Sequence, residues 1–146
     1  MDPSAHLIES PEAVRALVSK LRRVAVLGIK TEAQSDQPAF YVPRFLADAG
    51  IEVVPVPVYY PDVTTILGRP VHRRVADVPG ELDAVIVFRR SADVAPHLED
   101  LLAKRPRAVW MQSGIRHPEV ADALARAGID VVQDRCAMVE LRRARS

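Results

Sequence analysis

Five short, predominantly apolar segments recur along the chain, and amphipathic stretches separate them. Each segment is typical of a strand that is buried on both faces of a parallel sheet. The predicted strands are residues 24–27, 51–56, 83–88, 108–111 and 129–132.

Helical periodicity fills most of the intervals between these strands. Ser10 followed by Pro11 suits an N-cap and a first helical position, and Pro38 can open a helix that ends before Gly50. The predicted helices are residues 11–22, 38–49, 91–104 and 118–127, with a further helix possible in the basic segment 138–146. Strands that alternate with helices predict right-handed crossovers and a parallel sheet.

The segment after the second strand is less regular. Pro55 and Pro57 suggest that the pairing of this strand stops there, because proline cannot donate to a sheet. Asp62 is expected to cap a short helical turn that ends at Gly68, and residues 71–79 fit no single pattern.

Chain length and hydrophobic content are consistent with one domain. The chain has 146 residues, of which 49% are hydrophobic, so it can bury one sizeable core. The sequence therefore predicts a single α/β, Rossmann-like domain over residues 1–146. It has three layers, a five-stranded parallel sheet with helices on both faces, and residues 1–10 and 141–146 as tails.

The composition argues against several classes of function. The net charge is +1, from 20 basic and 19 acidic residues, so general binding of nucleic acid is not expected. No apolar run approaches the ~20 residues that span a bilayer, and the N-terminus lacks the basic start of a secretory signal. The one cysteine, Cys136, favours a reducing, cytoplasmic location. The four histidines are scattered without metal-ligand spacing, so no metal is expected.

Ligands of open parallel sheets bind at the carboxyl ends of the strands. After the first strand, Gly28 lets backbone approach a ligand, while Lys30 offers a charge and Ser35 a hydroxyl. Unpaired N–H groups before Pro38 could hold a phosphate. The alternative is an ordinary loop in which Gly28 serves only the turn.

The loops after the third and fourth strands also offer ligand-binding groups. Arg89 can form a planar fork with a phosphate, although a surface salt bridge is the alternative. Gln112 and Ser113 provide neutral hydrogen-bonding groups, and Gly114 permits a tight turn, although turn chemistry alone could explain all three.

Catalytic candidates are weaker. His117 has no acid positioned to orient it and is interpreted as a residue of a helix cap. Cys136 could be activated by Arg135, but a packed thiol is the more common role of a single intracellular cysteine. We therefore assign no catalytic residue from the sequence.

Two features argue against a dinucleotide-dependent dehydrogenase. The first loop has Gly28 but lacks the other glycines of G-x-G-x-x-G, and the second strand ends in residues 55–58 without the acidic residue that grips the ribose of NAD.

Taken in order, these loops resemble the CoA-binding domain family, and most closely its small stand-alone bacterial members of the YccU type. The matching blocks are residues 24–28, 41–46, 53–56, 66–68, 77–79, 87–90, 110–116 and 131–140. The resemblance covers about residues 12–140, and the last two blocks are the most specific. The family's fold is similar to the N-terminal domain of the succinyl-CoA synthetase α subunit.

The resemblance implies coenzyme A or an acyl-CoA across the strand ends. Gly28, Ile29, Lys30 and Ser35 would meet the nucleotide phosphates. Val56 would lie near the adenine or its ribose, and Phe88 and Arg89 would line the adenine and phosphate side. Gln112, Ser113 and Gly114 would approach the pyrophosphate or pantetheine. Many relatives have Asn where this chain has Pro57, which affects the adenine-end contacts.

The expected function is a CoA or acyl-CoA binding module without chemistry of its own. The chain as given has no length for the phosphohistidine and ATP-grasp domains of a ligase. A nucleotide-dependent enzyme component for redox or acyl transfer is an alternative, and so is a regulatory domain that binds another nucleotide such as NAD or ADP. A monomer or weak homodimer is expected, and an unidentified protein partner remains possible.

Overall fold

The computed structural model describes residues 2–146 and confirms the α/β fold with a five-stranded parallel sheet. The order of the strands across the sheet is β2-β1-β5-β6-β7, and a two-stranded antiparallel hairpin, β3-β4, lies outside it. The strands are β1 (Arg23–Leu27), β2 (Glu52–Val56), β3 (Thr65–Ile66), β4 (Arg69–Pro70), β5 (Ala84–Val87), β6 (Ala108–Met111) and β7 (Asp130–Val132).

The helices cover both faces of this sheet. They are α1 (Pro11–Val18), α2 (Pro38–Asp48), α3 (Leu98–Lys104), α4 (Pro118–Arg126) and α5 (Ala137–Arg145). Helices α1, α2 and α5 pack on one face, and α3 and α4 pack on the other. The sheet residues between these layers are almost all buried, which explains their continuous apolar runs.

Local sequence signals set several helix ends. The Ser10 hydroxyl accepts a hydrogen bond from the Ala13 amide at 3.1 Å, and Pro11 follows as the first helical residue. Helix α2 begins at Pro38, as predicted, but its N-cap residue, Gln37, makes no side-chain cap.

Some predicted boundaries were wrong. Helix α1 ends at Val18 instead of residue 22, and residues 91–104 form two short 3₁₀ turns followed by α3. The helical turn predicted between Asp62 and Gly68 is instead part of the β3-β4 hairpin. Its two turn residues, Leu67 and Gly68, both have positive φ, which suits a tight hairpin turn.

The proline-containing second strand ends at Val56, before Pro57, as the prolines predicted. Pro55 and Val56 lie in register with Val26 and Leu27 of β1. This pairing is possible because β2 is an edge strand, so the missing N–H of Pro55 does not interrupt a central ladder.

The two ends of the chain are attached to the domain. Leu7 forms a parallel bridge with Val131 of β7. At the other end, Leu141 is buried and α5 continues through Arg145, so the helix expected as possible over residues 138–146 is present and packs on the domain.

Candidate functional site

The strand order reverses beside β1. From β1 the chain crosses to β2 on one side of it, and later returns to β5 on the other side. The loops that leave β1 and β5 therefore diverge at the carboxyl edge of the sheet, which is where doubly wound sheets bind ligands.

Gly28 stands at this point and makes the divergence possible. Its φ is +87°, and its amide donates to the Val56 carbonyl at 2.9 Å. A Cβ on this residue would lie 2.3 Å from the carbonyl oxygen of Phe88. Only glycine fits here, because both the backbone angle and the close approach of the neighbouring loop exclude a side chain.

The loop after β1 is largely held by its own hydrogen bonds. The Lys30 amide donates to the Ala39 carbonyl at 3.0 Å, and the Lys30 ammonium donates to the Gln37 side chain. Thr31 and Gln34 form a capping box around a 3₁₀ turn. Several amides that were expected to be open to a phosphate are thus already satisfied within the loop.

A pocket of about 240 Å³ opens at the switch point. It brings together residues from the loops after β1, β2 and β5. Its lining consists of Gly28, Lys30, Val58, Tyr59, Tyr60, Phe88, Arg89, Arg90 and Asp93. Four of the ten residues expected from the sequence meet here, namely Gly28, Lys30, Phe88 and Arg89.

Arg89 carries the clearest unmet polar group of this pocket. Its Nε atom is buried and has no hydrogen-bond partner within residues 2–146. The other end of its guanidinium contacts Tyr59, with Nη1 3.4 Å from the hydroxyl and Cζ 5.6 Å from the ring centroid. A rotation of the Arg89 side chain would let an acceptor in the pocket bind Nε, and this would remove the cost of about 1–3 kcal/mol of a buried donor without a partner.

Its neighbour Arg90 is already occupied. Arg90 Nε donates to Asp93 at 2.9 Å, and this contact raises the pKa of the Arg90 guanidinium. Arg89 is therefore the arginine of this pair that is better placed to bind an anion.

His97 also responds to the charge of this region. Burial lowers the pKa of His97 below its usual value of 6.5, and the positive charge of Arg89 lowers it further. The imidazole is thereby favoured in its neutral form near neutral pH, which limits the positive charge around Arg89 to the arginines and Lys30.

The loop after β2 supplies residues that sequence reasoning did not assign. Val58, Tyr59 and Tyr60 line the pocket, and Arg73 donates to four backbone carbonyls of this loop at 2.7–3.3 Å. The Val58-Tyr59-Tyr60 run could have been found as an apolar and aromatic group that directly follows a strand at the binding edge.

Two other expected contacts have side chains that point into the core. Ile29 is 1% exposed and Val56 is fully buried. Each could meet a ligand only through its backbone, and the Val56 carbonyl already accepts the Gly28 amide. Ser35 is exposed in a different groove, between α2 and α5, together with Tyr41 and Arg44.

The loop after β6 lies at the same edge of the sheet but lines a separate cleft. The buried side chain of Gln112 accepts the Ala137 amide at 2.8 Å and so supports the start of α5. Gly114 has a φ of +81°, and its amide donates to Asp134 at 2.6 Å. Ser113 is exposed in this cleft, which has a volume of about 400 Å³ and also contains Cys136.

His117 and Cys136, the two catalytic candidates, lie at the starts of helices α4 and α5. His117 Nδ1 accepts the Val120 amide at 3.1 Å, so the ring caps α4 as predicted. Cys136 is half-buried at the N-cap of α5, and the Arg135 guanidinium contacts Glu140 and donates to the Glu9 carbonyl.

A cavity of about 390 Å³ lies at the opposite, amino edge of the sheet, under α1. Its lining includes Leu17, Lys20, Asp83 and Arg107. One carboxylate oxygen of Asp83, Oδ2, accepts the amides of Arg22 and Arg23 at 2.8 and 2.9 Å. This cavity is larger than the switch-point pocket, but the unpartnered Nε of Arg89 and the position at the strand ends favour the smaller pocket.

Residues 2–146 contain no group of three or more His, Cys, Asp and Glu side chains that could hold a metal ion. Over the same residues, no helix is both long and apolar enough to cross a membrane.

The architecture and the switch-point pocket define a Rossmann-like α/β domain with an open pocket at the carboxyl edge of its parallel sheet. The chain matches the CoA binding domain family over residues 22–142 and belongs to that family. It is 28% identical over 130 residues to the uncharacterised protein YneT of Bacillus subtilis, covering 89% of this chain and 93% of YneT.

Solved structures share the fold over nearly the whole chain. A Thermus thermophilus protein, cell-free ID.343, is 40% identical with a TM-score of 0.83, covering 93% of this chain and 99% of that protein. A hypothetical protein from Pyrococcus horikoshii is 25% identical with a TM-score of 0.82, covering 94% of each chain.

A dinucleotide-forming acetyl-coenzyme A synthetase of Ca. Korarchaeum cryptofilum, in complex with phosphate and ADP, has a TM-score of 0.61 at 19% identity. The match covers 75% of this chain and 25% of the synthetase, and at this identity it shows a shared fold alone.

Proposed function

We propose that this protein binds coenzyme A or an acyl-CoA across the carboxyl ends of its parallel strands and performs no chemistry on it. Membership of the CoA binding domain family supports binding of CoA in general. The main observation in favour of this site is the buried, unpartnered Nε of Arg89, a residue that lines the pocket beside Gly28.

The residues present fit a phosphate-containing cofactor. Arg89 would donate to a phosphate oxygen, and Lys30 would add a second positive charge from the adjacent loop. The absence of a side chain at Gly28 leaves room for the ligand to approach the backbone between β1 and β5. The bound cofactor would supply an acyl-carrying thiol, whereas the protein would hold and orient it.

The side chains that line the pocket suit the binding of a charged ligand. Its titratable residues are lysine, arginine, tyrosine and aspartate. Cys136 lies in the separate cleft after β6 and β7, half-buried at the start of α5, and we assign it a packing role and no transfer step. With one cysteine in the sequence, we propose that binding takes place in the reducing cytoplasm.

Isothermal titration with CoA tests the proposal. Wild-type protein should bind CoA, and Arg89→Ala should weaken binding about 10- to 150-fold, because a hydrogen bond to a charged group contributes about 1.5–3 kcal/mol. Arg126→Ala is the matched control: Arg126 is an exposed arginine of α4, paired with Asp122 at 2.7 Å and absent from the pocket lining.

Further ligands separate the alternatives. At 100 times its dissociation constant, CoA should stabilise the fold by ~2.7 kcal/mol, which a thermal shift will detect. Neither heat nor thermal shift at millimolar CoA would contradict the proposal. Tighter binding of NAD or ADP than of CoA and dephospho-CoA would favour a regulatory domain for another nucleotide.

A further inference from the structure

Tyr59 is unusually exposed for its position. Its side chain is 62% accessible, and it is the one large hydrophobic residue among residues 2–146 that is left exposed in this way. It lies at the wall of the switch-point pocket, beside Arg89. An exposed aromatic ring at the edge of a polar pocket commonly marks a contact surface for a ligand.

The surroundings of the ring leave part of its surface open. The Arg89 guanidinium carbon lies 5.6 Å from the ring centroid. Tyr60 contacts the ring at nearly a right angle, with 6.4 Å between the two centroids. These neighbours contact part of the ring, and the accessible remainder can receive a planar group.

The backbone that carries Tyr59 is held in place by a neighbouring arginine. The Arg73 guanidinium donates to the carbonyls of Tyr59, Tyr60, Pro61 and Val63. Tyr60 has a φ of +62°, so the chain turns sharply next to the ring. A surface that is ordered before binding loses less conformational entropy when a ligand arrives.

We propose that Tyr59 is the base-stacking residue of this site and that it determines the preference for an adenine-containing ligand. The inference rests on the proposed function, because it assigns a role within the same pocket. A base on Tyr59 and a phosphate on Arg89 would lie side by side, since the two side chains are in contact. The adenosine end of the cofactor provides both groups.

The size of the pocket agrees with a partial enclosure of the ligand. Pockets that enclose whole drug-sized molecules have volumes of about 300–1,000 Å³. The switch-point pocket has about 240 Å³, which suits one end of a long cofactor. The remainder of the molecule would lie along the edge of the sheet.

The test compares Tyr59→Ala and Tyr59→Phe with the wild type, using CoA, ADP and 4′-phosphopantetheine as probes in isothermal titration. Base stacking on an aromatic residue accounts for about a 5- to 150-fold change in affinity upon substitution by alanine. Tyr59→Ala should therefore weaken CoA and ADP by this factor and leave phosphopantetheine unchanged. Tyr59→Phe keeps the ring and should remain within about threefold of wild type for CoA and ADP, since the hydroxyl contact it removes is long, at 3.4 Å.

Saturation-transfer NMR gives a second readout. Irradiation of the aromatic protons of the wild type should transfer strongly to the adenine H2 and H8 protons, and Tyr59→Ala should lose most of this transfer. Equal affinity of wild type and Tyr59→Ala for CoA and ADP would overturn the inference. If wild type binds ADP but not CoA, the proposed function fails while the ADP titrations still test Tyr59. If it binds neither, both proposals are overturned.

Discussion

At the scale of single residues, the site depends on how closely two loops approach one another. The strands β1 and β5 end side by side, and Gly28 lies against the backbone of Phe88. This contact places Arg89, the next residue, where its Nε is buried without a partner. A buried donor without a partner costs about 1–3 kcal/mol, and a ligand that supplies an acceptor would recover this free energy.

Replacing Gly28 by alanine should destabilise the fold by about 2–5 kcal/mol. The backbone angle alone costs roughly 1–2 kcal/mol for a residue with a Cβ, and the contact of 2.3 Å with the Phe88 carbonyl adds an overpacking cost of about 1–3 kcal/mol. The free energy of unfolding in urea measures the effect.

Gly50→Ala is the matched control for this substitution. Gly50 has a φ of +94°, but nothing lies within 4 Å of a Cβ built there. It should lose only the roughly 1–2 kcal/mol of the backbone angle. Equal losses in the two variants would show that the close approach of the Phe88 backbone contributes nothing.

At the scale of elements, α5 joins parts of the domain that are distant in sequence. It packs against α1, and the Gln112 side chain at the end of β6 accepts the first amide of the helix. Arg142 stacks on Phe45 of α2, with 4.9 Å between the guanidinium carbon and the ring centroid. The basic end of the chain is therefore part of the fold, although its charge pattern resembles a solvated segment.

Leu141→Ala should lower the free energy of unfolding by about 2–5 kcal/mol, because Leu141 is 1% exposed within the core under α5. Arg142→Ala, one residue further on, should cost no more than about 1 kcal/mol, since an exposed cation–π contact contributes little. Denaturation in urea compares the two. A loss below about 1 kcal/mol for Leu141→Ala would contradict the prediction and show that residues 141–146 contribute little to the stability of the fold.

At the scale of the whole molecule, two cavities lie at opposite edges of the sheet. The larger, of about 390 Å³, lies under α1 at the amino edge, and the smaller, of about 240 Å³, lies at the carboxyl edge. Parallel strands give the two edges different chemistry, since the loops that diverge at the switch point are found only at the carboxyl edge.

Hydrogen exchange with and without CoA should distinguish these cavities. We expect added protection in the loops after β1, β2 and β5, namely residues 28–37, 57–64 and 88–93. In residues 13–21, which line the larger cavity, the rate of exchange through local opening should be the same with and without CoA. Protection confined to residues 13–21 would place the ligand at the amino edge and contradict the proposed site.

Local patterns predicted most of the secondary structure. The apolar run 108–111 corresponds to β6 without adjustment, and the start of α1 follows from Ser10 and Pro11. The errors fall where local and tertiary preferences differ. The segment between Asp62 and Gly68 has turn residues that suit a helix start, yet it enters a hairpin. Arg73, which comes later in the chain, donates a hydrogen bond to the Val63 carbonyl in the loop before this hairpin.

The site was predictable to the extent that it depends on the carboxyl ends of strands. Gly28, Lys30, Phe88 and Arg89 follow buried strands directly, and the pocket brings them together. Tyr59 lies further along its loop, and its position depends on the four hydrogen bonds from Arg73, which no local pattern indicates.

The sequence by itself determined the alternation of strands and helices and the parallel sheet, and it predicted the edge at which we propose that a ligand binds. These properties follow from periodicity and from the geometry that any parallel sheet imposes. Only the tertiary structure decided which loops share a pocket. Gln112 could have faced a ligand or a helix, and its contact with Ala137, 25 residues later, made it a structural cap. Such choices depend on the order of the strands in space, which local residue patterns do not contain.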